Sequence, residues 1–219
     1  RKNEWSDVMN VLIFGASGGI GKWAVQYALQ DGHHVTAYVR HPEKVQITSD
    51  HLTLIQGQIT DKEKIAKALS GQNAVIWCVG IPMKRKYPVM QSLEGHKILI
   101  QAMKEQGVKR FIDWGTPSIR FEQDKKSLIT VVPGILAGIA FPQAKKEMVA
   151  IGQLLQTSEL EWTLVRFMAP KDTPYTGKVK TGFGDVKMKF NISRKDIGAF
   201  MAEQLHDDRF IRSMPIIGG

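Results

Sequence analysis

Short runs of buried-strand character alternate with stretches of helical period along most of the chain. VLIF, Val11 to Phe14, is followed by Lys22 to Gln30, and VTAYV, Val35 to Val39, by a short turn region. LTLIQ precedes Asp61 to Leu69, AVIWCVG precedes Leu93 to Gln106, and RFIDWG precedes, after a long insertion, Ala144 to Ser158. WTLVRF is the last clear strand, and RKDIGAFMAEQL reads as a late helix. Apolar runs of strand length mark strands, and apolar positions at helical spacing mark helices. Parallel strands need crossovers, which helices supply, so the alternation predicts an α/β fold: a doubly wound parallel sheet with helices on both faces.

Local signals agree. Asp61 stands where a helix cap is wanted, Ile65, Ala68 and Leu69 share one face of the segment that follows, and Gly71 and Gly107 stand at helix stops. No repeat or linker divides the 219 residues, so a single domain over 1–219 is expected, with residues 1–8 as a poorly ordered leader.

Composition narrows the function classes. A hydrophobic fraction of 43% and a charged fraction of 23% exclude disordered, fibrous and disulfide-scaffold chains. The single cysteine, Cys78, forms no internal disulfide, and RKNEWSDVM lacks the charged-then-apolar form of a secretory leader; both point to the cytoplasm. The apolar run Ser127 to Phe141 is shorter than the roughly 20 residues of a spanning helix and holds Pro133, Gly134 and Gly138, so no membrane partner is expected. The net charge of +9 is scattered in short blocks such as MKRKYP and DKKS, which fits an anionic cofactor and solubility better than nucleic acid. The expected state is a monomer or homodimer acting on a small molecule. The six histidines show no metal-ligand spacing, and no metal site is expected.

The candidate chemistry begins at GASGGIG, where Gly15, Gly18 and Gly21 recur every three residues between a strand and a helix. Glycine costs backbone entropy, so three at fixed spacing imply a partner that must meet bare backbone. A pyrophosphate is that partner: Gly15 for the tight turn, Gly18 for close approach and Gly21 for helix packing, with helix N-terminal amides facing the anion. Gly15, Ser17, Gly18, Gly19, Ile20 and Gly21 are the expected pyrophosphate residues. Lys22 is followed by Trp23, which excludes a nucleoside-triphosphate P-loop. At the end of the second strand an acid would hold ribose hydroxyls and a cation a 2′-phosphate; Arg40 stands there with His41 and Lys44 near, so NADP(H) is favoured over NAD(H).

GASGGIG, AYVR, GQITD, AVIWCVG, GVKRFIDWGT, ELEWTLVRF and SRKDIGAFMAEQL together resemble the atypical short-chain dehydrogenase/reductases, in particular the NAD(P)H-binding NmrA-like group that includes flavin reductase/biliverdin reductase B. The resemblance runs from about Asn10 to the C-terminus and implies a Rossmann-type sheet with a small substrate lobe. It implies that Cys78, Val79 and Gly80 run past the cofactor, that Gln58 and Ile59 lie beside the adenine with Gln58 in place of a usual aspartate, and that Phe167 replaces a proline near the nicotinamide. It also implies that Thr116 stands at the family's serine position and that Lys145 in FPQAK stands at the Tyr-x-x-x-Lys lysine, with Phe141 where the tyrosine would be.

Phenylalanine has no proton to give, which leaves three readings. The chain reduces an acceptor that needs little proton help, such as a flavin or quinone, or a carbonyl compound helped by Thr116; or Lys145 or Tyr175 supplies the acid; or the chain binds the cofactor without turnover and reports redox state. Asp113 reads first as a satisfied structural carboxylate, Cys78 as an apolar filler and MKRKYP as a solvated basic loop. The insertion from Pro117 to Pro142 reads as a substrate lid or a dimer patch, with the lid favoured by its glycine and proline hinges.

Overall fold

The computed structural model describes residues 8–219, so the expected leader lies outside the described residues except for Val8. The strands are β1 Asn10–Phe14, β2 His34–Val39, β3 Leu52–Gln56, β4 Ala74–Trp77, β5 Arg110–Gly115, β6 Glu161–Arg166, β7 Pro170–Lys171, β8 Lys180–Gly182, β9 Ile192–Ser193 and β10 Ile216–Gly218. The helices are α1 Gly21–Gln30, α2 Lys62–Leu69, α3 Gln91–Gln106, α4 Leu128–Ala140, α5 Pro142–Thr157 and α6 Arg194–Glu203.

The eight-stranded sheet runs β3-β2-β1-β4-β5-β6-β10-β8, parallel except for β8 against β10. The strand order reverses between β1 and β4, which opens a crevice beyond their carboxyl ends. This is the doubly wound Rossmann-type sheet expected from the sequence. Strand alternation divides the core into two layers. Val11 and Ile13 face α1 and α6 with Val25, Ala28, Ile197 and Met201; Leu12 and Phe14 face α2, α3 and α5 with Ile65, Leu99, Met148 and Ile151.

Three features differ from the sequence expectation. WTLVRF is not the last strand: β10 extends the sheet beyond β6, and β7 and β9 form a separate pair. The insertion is not a hinged loop, because α4 forms through Pro133 and both glycines. A capping box of Ser127 and Thr130 starts it, and α4 packs against α5. The first half of the insertion is tied down: fully buried Arg166 grips both oxygens of Asp124 at 2.6 and 2.8 Å and donates to the Ile119 carbonyl. Leu128, Val132, Ile135, Leu136 and Ile139 of α4 stay exposed, although burial of such a side chain gains about 1.5–3 kcal/mol.

A buried histidine gives a pH prediction. His33 Nδ1 accepts from the Met9 amide at 3.2 Å, and its Nε2 lies 2.9 Å from Nε2 of His206. Burial first, then His206, holds His33 below its ordinary value of 6.5. The unfolded chain therefore binds the proton more readily, so this contribution to stability is complete above about pH 6.5 and declines as pH falls. The urea midpoint is expected to drop on going from pH 7.5 to 5.5, and His33→Gln to flatten that slope; an unchanged slope in the variant contradicts the assignment.

Candidate active site

The crevice is a cleft of about 640 Å³ that gathers the end of β1, the end of β2, the segment after β3 and the loop from β4 to α3. At its centre β1 stops and Gly15 turns the chain with φ of +75°, a conformation that strains any residue with a Cβ. A Cβ there would also lie 2.7 Å from the Cys78 carbonyl atoms, so β1's turn and the end of β4 touch backbone to backbone. Gly18 donates to the Gly15 carbonyl at 2.9 Å, and Gly21 packs so closely on that carbonyl that a side chain would collide with it. Helix α1 begins with no side-chain cap and no acid in its first turn. The amides of Ser17, Gly19 and Ile20 have no backbone acceptor among the described residues. Unsatisfied amides at a helix start fit an anion, which is the test a pyrophosphate must pass.

One end of the cleft is basic. Arg40, His41 and Lys44 line it, and Arg40 makes no ion pair among the described residues. The neighbouring acid Glu43 already meets His41 Nδ1 at 3.2 Å on the surface. Beneath this end Tyr38 donates its hydroxyl to the Gln58 carbonyl at 2.9 Å, and burial, then Asp61, pushes the phenol up to about 12. Tyr38 is therefore a neutral floor, in tilted ring contact with Phe14, which in turn meets Trp77.

The β4 side carries groups with no local sequence signature. Tyr87 lines the cleft and donates to Glu147 Oε2 at 2.6 Å. Glu147, fully buried on α5, also accepts from the Leu93 amide at 2.9 Å, capping α3 where Met90 offers no side-chain oxygen. Burial first and then Glu147 hold the Tyr87 phenol well above its ordinary range, so it is a proton-bearing donor at neutral pH. The Ser92 hydroxyl is buried in the same wall without a partner among the described residues.

The expected site residues divide. Gly15, Ser17, Gly18, Arg40, Gln58, Ile59, Cys78, Val79 and Gly80 all line the cleft. Gly19, Ile20 and Gly21 do not line it; Gly19 is exposed with Arg194 of α6 beside it, whose Cδ would meet a Cβ there at 3.0 Å. Arg194, paired with Asp172 at 2.8 Å, is a cation beside the glycine turn that the sequence reading missed. Phe167 is buried against Trp114, whose indole donates to the Val79 carbonyl at 2.9 Å.

Thr116 and Lys145 make no hydrogen bond to each other, although Ser118, the partner of Thr116, lines the same cavity as Lys145. Thr116 Oγ1 lies 2.5 Å from Ser118 Oγ, whereas Lys145 Nζ donates to the Gly134 carbonyl at 2.7 Å and faces a second cavity of about 510 Å³ between α4 and α5. Tyr175 is half exposed beside Tyr27 of α1, on the opposite face of the sheet from Glu147. The Cys78 thiol is pushed up by burial and by Asp113, which removes it as a thiolate nucleophile. Asp113 is satisfied by His96 Nε2 at 3.0 Å and the Trp114 amide at 2.8 Å, in line with a structural role.

Comparison with known proteins reaches the same fold. The NAD(P)H-binding family matches residues 15–208. Isoflavone reductase homolog P3 of Arabidopsis thaliana is 31% identical over 223 residues, covering 93% of this chain and 67% of the relative. The chain spans 64–65% of the length of other plant relatives, a pinoresinol-lariciresinol reductase homologue of Arabidopsis thaliana among them. Among solved structures, the anaerobillin reductase ChuY of Escherichia coli O157:H7 superposes with a TM-score of 0.77 at 22% identity, over 95% of this chain and 96% of its own. A short-chain dehydrogenase/reductase of Veillonella parvula in complex with NADP superposes with a TM-score of 0.76 at 18% identity, over 97% and 95%. A glycine turn at the strand-order reversal, a cleft along the carboxyl edge and a profile match over most of the chain agree: this chain belongs to the NAD(P)H-binding family, as an atypical short-chain dehydrogenase/reductase of the NmrA-like type.

Proposed function

We propose that this chain is an NADP(H)-dependent reductase that passes hydride to a small acceptor of the flavin, quinone or carbonyl class. The observation that carries the reading is the cleft itself, with the glycine turn at Gly15, Ser17 and Gly18 in its wall, amides without a backbone acceptor along that turn, and Arg40, His41 and Lys44 at one end. The Ser17, Gly19 and Ile20 amides would take the pyrophosphate, and Arg194 would add positive charge behind them. Arg40 would take the 2′-phosphate, with Lys44 beside it. Val79, Gly80 and Ile81 supply an uncharged wall toward the β4 side.

When bound, the dihydronicotinamide supplies the hydride. The chain's own part is to place the acceptor and to meet the oxygen or nitrogen that gains charge. Tyr87 is the group for this: it keeps its proton at neutral pH, lines the cleft and is aimed by a buried carboxylate. Turning its O–H from Glu147 to the acceptor would stabilise the developing charge, and solvent at the cleft mouth would complete protonation. Phe141 at the family's tyrosine position is thereby replaced by a phenol from a different element.

The placement of Lys145 on a helix carbonyl, away from the cleft, favours a second reading, a non-catalytic redox sensor. Following NADPH absorbance with purified protein and a panel of flavins, quinones and aldehydes separates the two. Protein-dependent oxidation with at least one acceptor is expected; tight binding without oxidation across the panel would sink the reductase reading for those acceptors and favour the sensor.

The cofactor preference has its own test. Arg40→Glu is expected to weaken NADPH by about 10- to 100-fold and NADH by less than about threefold, since only the former loses a charge-assisted contact. Equal loss of both in paired titrations removes the role given to Arg40.

A further inference from the structure

The exposed residues of α4 are not scattered. Leu128, Val132, Ile135, Leu136 and Ile139 follow a spacing of four, three, one and three, which places them on one stripe, while Thr130 and Pro133 are buried on the other side. They are 37–77% exposed, and the helix contains no charged residue. Cations bracket the stripe. Lys125 and Lys126 precede its first turn, and Lys84, Arg85 and Lys86 of the β4–α3 loop stand at its last, where Arg85 donates to the Ile139 carbonyl at 2.9 Å. Met83, 52% exposed, adds an apolar side chain on that loop. Glu122, Asp185 and Asp124 are acids near the Lys125 end, with Asp124 already held by Arg166.

We propose that this face docks on an anionic lipid surface, with α4 lying in the interface and the five cations against headgroups. Apolar residues on one face with basic residues at the edge are what such a surface selects. The arrangement departs from the expectation of no membrane partner, yet it concerns a helix that lies on a bilayer: no described helix is long and apolar enough to cross one. A second copy of the chain is a poorer occupant. In a two-fold contact, antiparallel stripes would bring Lys125 and Lys126 against Lys84, Arg85 and Lys86 of the other copy, cation against cation. The loop that carries these cations also supplies Pro82 and Tyr87 to the cleft, so a docked chain holds that wall at the headgroup layer.

The test is co-sedimentation of the purified chain with vesicles of phosphatidylcholine alone and with about one-third phosphatidylserine, a lipid that supplies the negative surface potential. Binding to the anionic vesicles is expected, falling as salt is raised, with little binding to the neutral ones. Ile135→Asp with Leu136→Asp is expected to lower partitioning at least about tenfold, and Lys84→Glu with Lys126→Glu to lower it similarly. Because all four side chains are exposed, circular dichroism and the melting temperature should match the parent, which separates lost docking from lost folding. No sedimentation with anionic vesicles, or equal partitioning of parent and both variants, overturns the proposal. A dimer in analytical ultracentrifugation that the Ile135/Leu136 variant dissolves would assign the stripe to a second copy and overturn it too.

Discussion

Gly15→Ala is expected to lower NADPH affinity at least about a hundredfold and to cost about 2–4 kcal/mol of folding stability. The reasons are geometric. At φ of +75° an L side chain is strained, and its Cβ would sit 2.7 Å from the carbonyl carbon and oxygen of Cys78 and 2.8 Å from the Val79 amide nitrogen. Those atoms are backbone at the end of β4, paired through β1 in the middle of the sheet, and have no side-chain end that could swing away. Either the turn lifts off β4, which removes the unsatisfied amides from the cleft, or the two strands separate. Fluorescence titration with NADPH and a urea melt read both effects. Wild-type affinity in a folded Gly15→Ala variant would show that the turn does not hold the cofactor.

Tyr87→Phe is expected to lower kcat for a carbonyl acceptor by about 10²–10³ while the dissociation constant of NADPH stays within about twofold. The phenyl ring keeps the cleft wall and loses only the O–H. Glu147 keeps its bond from Leu93, so the cap on α3 survives, but its buried Oε2 loses its donor, and a urea melt alongside the unchanged NADPH dissociation constant separates lost chemistry from a disturbed α5. A flavin acceptor, which needs less help with a proton, should lose less than the carbonyl acceptor. Equal kcat in the variant with carbonyl acceptors would return the proton question to Thr116, Lys145 or solvent.

The sheet from β1 to β6 was legible because its strands are apolar runs, with a helix behind β1, β3, β4 and β5 and only a short turn behind β2. The short strands after β6 were not: β7 and β9 have two residues each, and β8 and β10 three, so their order comes from neighbours rather than from their own pattern. Helix α4 was hidden by its own composition. Pro133, Gly134 and Gly138 are breakers in isolation, and a helix that turns its apolar stripe to solvent inverts the usual amphipathic signal.

The same division runs through the candidate site. The glycine turn and Arg40 are local: strand, turn, helix and second strand follow one another, and each residue type has a single physical reason to be there. Tyr87 and Glu147 lie 60 residues apart, on a loop and a helix that meet only in the folded chain. Nothing in MKRKYP marks its tyrosine, and a glutamate inside a helix reads as surface until burial shows otherwise. Arg194 likewise reaches Gly19 only because α6 packs beside α1. Thr116 and Lys145 drew their roles from resemblance, and their side chains engage Ser118 and Gly134.

The central claim is that the cleft from Gly15 to Ser92 is an NADPH site. Its most direct test is an equilibrium titration of the purified chain with NADPH, read by reduced-nicotinamide fluorescence. The account predicts saturation at one NADPH per chain with micromolar or tighter affinity, competition by NADP⁺, weaker binding of NADH and loss of the signal in Gly15→Ala. No saturable binding up to about 1 mM, or binding unaltered by Gly15→Ala, would contradict it.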